Sequence, residues 1–363
     1  MNLKNKKSII YIGISIIILA IIVVIAINTG TEKTKDGSKI KITKNEVSNL
    51  TLEDYSNSVF SMKKPKGWVV ESAGTGIYYA IRAYDKNNSN NQIYLMMKVE
   101  PLLKSEASKK MWQQYASLSG NSSTYKVFTD AVVLTSPTTE NFYKNFRSIS
   151  NYLNNIEPTL SSFKFPTFDN FSSYEELASK AAMSNVSLDS KVLRATFTGD
   201  NSKEGEGMFM ASIVNFGSGN SFTVDTTYYM VYDIMAITSD KDNFIDYKDI
   251  LLESINSIEF SDSYVKQTID NSNAQTKKAL EVSRSIQASF DSYMQAWENR
   301  NKTYDIISQK RSDATLGYER VYDTETGDIY KAYNGFTDNY DGERYKSITD
   351  DMYTKKTSGY IEK

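Results

Sequence analysis

The sequence predicts an α+β fold: an N-terminal transmembrane helix, an antiparallel sheet with flanking helices, and a C-terminal helix plus β-hairpin module. Three observations carry this. Ile9 to Ile27 is an uncharged apolar run. Residues 47–260 interleave alternating apolar and polar runs with amphipathic helical stretches. Tyr318 to Tyr333 reads as two β-prone segments around a turn that ends in glycine.

The run "IIYIGISIIILAIIVVIAI" holds 19 residues without a charge. As a helix it would span roughly 28 Å, close to the hydrocarbon thickness of a bilayer. A cleaved signal peptide has a shorter apolar core and a small-residue cleavage site, and "AINTG" supplies no such site. The expectation is an uncleaved anchor over residues 9–27, with residues 1–8 as a cytoplasmic tail. Lys4, Lys6 and Lys7 precede the run, and Lys33, Lys35, Lys39, Lys41 and Lys44 follow it, so flanking charge is nearly balanced. A short tail before a single N-terminal span favours N-in, C-out, with the bulk of the chain extracytoplasmic. Residues 28–46, polar and lysine-rich, read as a linker that lifts the folded part off the lipid.

Composition narrows the chemistry. There is no cysteine and no histidine. Serine or cysteine nucleophiles paired with histidine are therefore excluded, as are disulfides and thiol redox reactions. A typical zinc site loses its usual ligands. A net charge of −2 is not the electrostatic profile of a nucleic-acid binder. No catalytic set, metal site or cofactor is assigned.

In "NSVFSMKKPKGWVVES" a strand, a turn at Pro65-Lys66-Gly67 and a second strand are expected. "GIYYAIRAYD" and "NQIYLMMKVE" flank the turn-forming spacer "KNNSNN" and predict a hairpin. "SEASKKMWQQYASL" places Ala107, Met111, Trp112, Tyr115 and Leu118 on one helical face. "TENFYKNFRSISNYLNNI" spaces Phe142, Phe146, Ile149, Leu153 and Ile156 by fours and threes. Beyond a proline-containing connection, "SSYEELASKAAM" predicts a short helix with Ser172 and Glu175 as a capping box. "KVLRATFTG", "GMFMASIVNF" and "FTVDTTYYMVYDIMAIT" read as strands, and "DNFIDYKDILLESINSI" as the closing helix.

The "YSNSVFSMKKPKGWVVES" opening, the long strands and the closing "FIDYKDILLESINSIEF" helix resemble the PsbP-like family over residues 47–260. That resemblance implies an α/β/α sandwich on an antiparallel sheet and a role without known catalysis. It makes residues of about 137–185 a helical insertion, and it transfers no functional residue. The whole chain also resembles single-pass membrane proteins of low-GC Gram-positive bacteria, which implies a cell-membrane location.

Residues 261–363 form the last module. "TKKALEVSRSIQASFDSYMQAWENRN" is helical by spacing, with Leu280, Ile286, Phe290, Met294 and Trp297 inward. In "YDTETGD", Asp323 can bond the turn backbone and Gly327 can adopt positive φ. Tyr318, Tyr322, Tyr330, Tyr333, Tyr340, Tyr345, Tyr353 and Tyr360 form either an aromatic binding surface or the core of a small sheet. The candidate ligand-binding residues are Trp297, Arg300, Tyr304, Asp305, Ser312, Asp313, Tyr318 and Tyr322. The first six would line a polar pocket between helix and hairpin, or would fasten the two together.

Other motifs fail on their own chemistry. "SMKK" falls in a predicted strand, whereas a Ser-x-x-Lys nucleophile opens a helix. "TDNYDGERYKSI" has Thr337 and Ile348 where a Ca2+ loop needs Asp and Glu. "GTG" and "GSG" lack the third glycine of a dinucleotide site. The functional expectation is non-enzymatic binding of a protein or cell-wall glycan partner. The alternative is a carboxylate-dependent envelope hydrolase, which needs two opposed acids across a cleft.

Overall fold

The computed structural model describes residues 33–44, 50–270 (apart from 121, 180, 182, 218, 219, 222 and 223) and 302–362. The run at residues 9–27 and the stretch with Leu280, Ile286, Phe290, Met294 and Trp297 lie outside the described residues. Among the described residues, no helix is long and apolar enough to cross a membrane. The chain divides into two units, one from Thr51 to Arg300 and one joining the segment up to Leu50 with Asn301–Lys363.

The segment up to Leu50 contributes β1 (Lys41–Lys44) to the smaller unit. In the larger unit, β3 (Phe60–Pro65) pairs with both β2 (Leu52–Ser56) and β13 (Glu259–Phe260) in a small antiparallel sheet. The principal sheet has seven strands, all antiparallel. They are β4 (Val69–Ala73), β5 (Ala80–Asp85), β6 (Asn88–Leu103), β7 (Asp169–Ala178), β8 (Asp189–Thr198), β9 (Glu204–Phe216) and β12 (Tyr228–Asp240). Their spatial order is β4-β5-β6-β12-β9-β8-β7, and a two-residue pair, β10 (Asn220–Ser221) and β11 (Val224–Asp225), sits between β9 and β12 in sequence. The hairpin expected around "KNNSNN" is β5–β6.

Both faces of this sheet are covered, so its central strands are buried almost throughout. Helices α1 (Glu106–Ser119) and α2 (Ser122–Thr129) follow β6. The expected amphipathic run splits at Asn145 into α3 (Thr139–Lys144) and α4 (Phe146–Ile156). Phe142, Tyr143, Phe146, Ile149 and Leu153 pack on the sheet face that carries Tyr94, Phe209 and Ile234. Helix α5 (Phe244–Asn256) covers the opposite face, where the Arg194 guanidinium lies 5.2 Å from the centre of the Phe244 ring. Arg194 is itself buried and donates from Nε to Glu206 at 2.5 Å.

Four expectations are corrected. "SSYEELASKAAM" is not a helix, because most of it is β7. Its ladder with β8 and the burial of Phe171 against Tyr143 and Phe209 outweigh the local capping signal of Ser172 and Glu175. The stretch of about 137–185 is therefore not helical throughout, since α3 and α4 supply one core layer and β7 one sheet edge. Helix α1 forms, but it turns Ser108 and Ala116 inward and leaves Leu118 88% exposed. Finally, residues 261–270 belong to the larger unit as α6 (Asp262–Asp270): Tyr264 stacks on Phe260 and donates to the Gly76 carbonyl at 2.8 Å.

The smaller unit contains α7 (Lys302–Leu316), β14 (Tyr318–Asp323), β15 (Ile329–Tyr333), α8 (Phe336–Asn339), β16 (Tyr345–Ser347) and β17 (Gly359–Glu362). The expected hairpin is β14–β15. Asp323 Oδ1 accepts from the backbone of Glu325 and Thr326, and Gly327 sits at φ +81°. The sheet order is β1-β17-β15-β14-β16, with β15 and β17 parallel. The linker assigned to residues 28–46 thus needs correction. Lys41–Lys44 is the edge strand β1, paired antiparallel with β17, and Ile40 is in the core. The alternation in "KIKITK" explains this: a lysine-rich strand with inward isoleucines suits an edge.

Candidate functional site

The residues singled out from sequence separate into three groups. Trp297 and Arg300 lie outside the described residues, and so does the Tyr304 side chain, although its backbone belongs to α7. Asp305 and Asp313 are buried, while Ser312 is half-buried. Asp305, Gln309 and Asp313 recur every four residues, which places them on one face of α7.

Among the described residues, Gln309 and Asp313 on that face engage the hairpin. The face closes on it as an ion cluster. Arg320 on β14 donates from Nε to Asp313 Oδ2 at 2.6 Å and bonds Gln309 Oε1 through Nη2. Its Nη1 donates to the Tyr353 carbonyl at 3.2 Å, and the guanidinium lies 5.2 Å from the Tyr353 ring centre. Lys331 on β15 brings a second cation to 3.8 Å from Asp313 Oδ1. Asp313, Arg320 and Lys331 are all buried. Asp313 is shared by both cations, and these contacts clamp the helix on the sheet. The tyrosines divide similarly. Tyr330, Tyr340 and Tyr345 are core residues with Phe336, and Tyr318 and Tyr322 remain half-buried, Tyr318 against Tyr360.

A different place in the larger unit has the geometry of a binding site. A cleft of about 410 Å3 opens between the end of β5, the exposed side of α4, the connection 161–167 and the β8–β9 turn. Its floor is Arg82. On β5 this residue pairs directly with Tyr94 of β6, so its side chain rises from the face that α4 covers. Nε donates to Gln92 Oε1 at 2.8 Å, and Nη1 to the carbonyl of Lys164 at 3.0 Å. The Tyr84 ring centre lies 4.6 Å from the guanidinium carbon. The side chain is therefore held on three sides while the residue is only 3% exposed.

Nη2 is the exception, having no hydrogen-bond partner. The nearest acid, Asp200 Oδ2 in the β8–β9 turn, stands 3.6 Å away, beyond hydrogen-bond reach. Burial pulls the Arg82 pKa below the usual guanidinium range, and the Asp200 charge opposes that shift. Arginine nevertheless stays protonated at physiological pH. The cleft thus has a fixed cation at its base.

A second group without a full set of hydrogen bonds comes from α4. Asn154 is on the lining, and its Oδ1 is buried without a partner. Its Nδ2 donates to the Phe163 carbonyl at 3.4 Å, which fixes the amide orientation and leaves Oδ1 as the acceptor. Asn151, Ser161 and Ser162 add polar groups, Phe163 and Phe165 an apolar wall, and Arg147 and Lys164 positive charge. Arg147 is tied to Asp169 by a two-point contact at the rim. This arrangement can grip a polar solute through one charge-assisted donor and one neutral acceptor.

Sequence reading passed over Arg82. The signal lay in "YYAIRAYD", a nearly continuous apolar run of the kind that both-face burial requires, interrupted by one arginine. A charge at such a position needs partners or a ligand. No protein-family model matches this chain, and no curated protein matches it.

Proposed function

We propose that this chain is a single-pass membrane protein whose folded units lie outside the cell and bind a polar component of the cell envelope without catalysing a reaction. Residues 1–8 are the cytoplasmic tail and residues 9–27 cross the bilayer. The antiparallel sheet with helices on both faces supports the PsbP-like reading, because that family's α/β/α sandwich has this layering.

The observation that carries the binding role is the Arg82 guanidinium, buried at the floor of a cleft with Nη2 making no hydrogen bond and Asp200 as its ion-pair partner at 3.6 Å. A buried donor without a hydrogen bond costs free energy, which a ligand oxygen recovers. The cleft falls in the size range of small-molecule sites. It suits one sugar-sized unit of a glycan better than a protein surface. Hydrolysis by paired carboxylates is less well supported, since Asp200 is the one acid among the described residues that line the cleft.

The test is a titration of the full chain in lipid nanodiscs, monitored at the arginine Nε–Hε resonances. The probes are D-glucose, D-glucosamine, D-glucuronate and sn-glycerol 3-phosphate. At least one is expected to shift the Arg82 signal at millimolar concentration. Silence toward all four would overturn the site.

A further inference from the structure

We infer that the Arg82 cleft takes an oxyanion, carboxylate or phosphate, carried on a hydroxylated frame of monosaccharide size. This deepens the binding role and rests on it.

Two buried, unmatched atoms define the ligand. Arg82 Nη2 is a charged donor that makes no hydrogen bond, its ion-pair partner Asp200 standing 3.6 Å away, and Asn154 Oδ1 is an acceptor that receives none. Nε and Nη1 of Arg82 are already engaged, which holds the guanidinium plane in place and leaves Nη2 for the ligand. A hydrogen bond from an ionised donor to an ionised oxygen is the strongest available here. An oxyanion therefore outranks a neutral carbonyl as the group that docks on Nη2.

Asn154 Oδ1 demands the complementary chemistry, an O–H or N–H donor on the same ligand. Arg147 and Lys164 on the lining favour negative over positive charge on the ligand. Hydroxyls are then the donors that fit an overall anion. A bare inorganic oxyanion leaves most of a cleft of about 410 Å3 unfilled, together with the Phe163 and Phe165 wall. Acidic sugars and polyol phosphates share this chemistry, and the binding measurement separates them.

Asp200 supplies an internal control. Its carboxylate stands 3.6 Å from Nη2, where an incoming anion is repelled by it. It lies in the exposed β8–β9 turn, so neutralising it leaves the fold intact.

Calorimetry on the full chain in nanodiscs tests the proposal with D-glucuronate, sn-glycerol 3-phosphate, D-glucose and inorganic phosphate. Glucuronate or glycerol 3-phosphate is expected to bind about tenfold or more tighter than glucose, the acid that binds tighter naming the source. Inorganic phosphate is expected to be weaker than the tighter acid. Arg82→Gln is expected to lose about tenfold or more in affinity for that acid. Asp200→Asn, which does not depend on Arg82 tolerating substitution, is expected to tighten it severalfold.

Equal affinity for glucose and the acids overturns the anionic ligand while leaving the binding role standing. Inorganic phosphate binding as tightly as the organic acids overturns the hydroxylated frame. Unchanged or weaker binding by Asp200→Asn overturns the placement of the anion on Nη2. No heat and no shift with any probe removes both the ligand class and the site.

Discussion

Arg82 and Gln92 meet inside the sheet, Nε donating to Oε1 at 2.8 Å across adjacent antiparallel strands. Gln92 is 1% exposed, so no solvent replaces it. Gln92→Leu removes the acceptor and leaves a second buried guanidinium nitrogen unmatched. The expected loss of stability is roughly 1.5–3 kcal/mol, read from urea unfolding with an unchanged slope. A loss near zero would mean that Arg82 relaxes toward the cleft, and its ligand contacts would shift with it.

Asp233 combines a buried carboxylate with a left-handed backbone conformation. It lies at φ +54° where β12 gains one residue relative to β9, and it is 2% exposed. Oδ2 accepts from Ser212 at 2.8 Å, while Oδ1 has no partner. Burial pushes its pKa up to about 6, against the bonds from Ser212 and the Met183 backbone. The folded protein therefore holds this proton more tightly than the unfolded chain. That contribution is fully present below about pH 4 and is lost as pH rises through 6, at up to roughly 1.4 kcal/mol per unit. Asp233→Asn keeps a residue that tolerates positive φ and removes the charge. It is expected to match the parent near pH 4 and to unfold at a higher temperature near pH 8. Equal unfolding temperatures at both pH values would show that the carboxylate ionises without cost.

Asp313 balances two buried cations, Arg320 and Lys331. Asp313→Ala strands both, and breaking a buried pair from one side typically costs about 3–5 kcal/mol. Denaturant unfolding of the smaller unit is expected at lower concentration, with its unfolding free energy reduced by that amount. The change is expected to leave ligand affinity in the Arg82 cleft unaltered, because the two sites belong to different units.

The docking of β1 depends on Gly359. A Cβ there would lie 2.3 Å from the Thr43 carbonyl oxygen, a position that only glycine allows. Gly359→Val is expected to detach Lys41–Lys44 and to expose the lysines of residues 33–44 to trypsin in limited proteolysis. Resistance equal to that of the parent would show that the strand accommodates the added bulk.

The absence of cysteine makes topology directly measurable. Asp338 is exposed on α8, and Asp338→Cys creates a unique thiol. Labelling by an impermeant maleimide in intact cells is the outcome expected for an extracytoplasmic chain. Labelling only after permeabilisation would place the folded units inside and remove the envelope role.

Local physics in the sequence was enough for several elements. The β5–β6 hairpin follows from alternation around a turn-rich spacer, and the β14–β15 hairpin from Asp323 and Gly327, because both depend on neighbours close in the chain. Helices α4 and α5 follow from their apolar spacing. The excluded chemistries follow from the missing cysteine and histidine alone.

Tertiary structure decided the rest, wherever the partner is remote in sequence. "SSYEELASKAAM" carries a helix-start signal, yet the open edge of β8 takes it as a strand. Lys41–Lys44 reads as a tether until β17, more than 300 residues later, supplies its ladder. Asp313 reads as either a pocket or a fastening residue, and only the fold brings Arg320 and Lys331 onto it. Arg82 reads as one arginine in an apolar strand. The β5–β6 hairpin brings Gln92 to it, but the Lys164 carbonyl and Asn154 of the cleft lining come from remote parts of the chain that no local pattern brings together. Burial and pairing are properties of the packed molecule, and they decide which polar groups the chain itself satisfies.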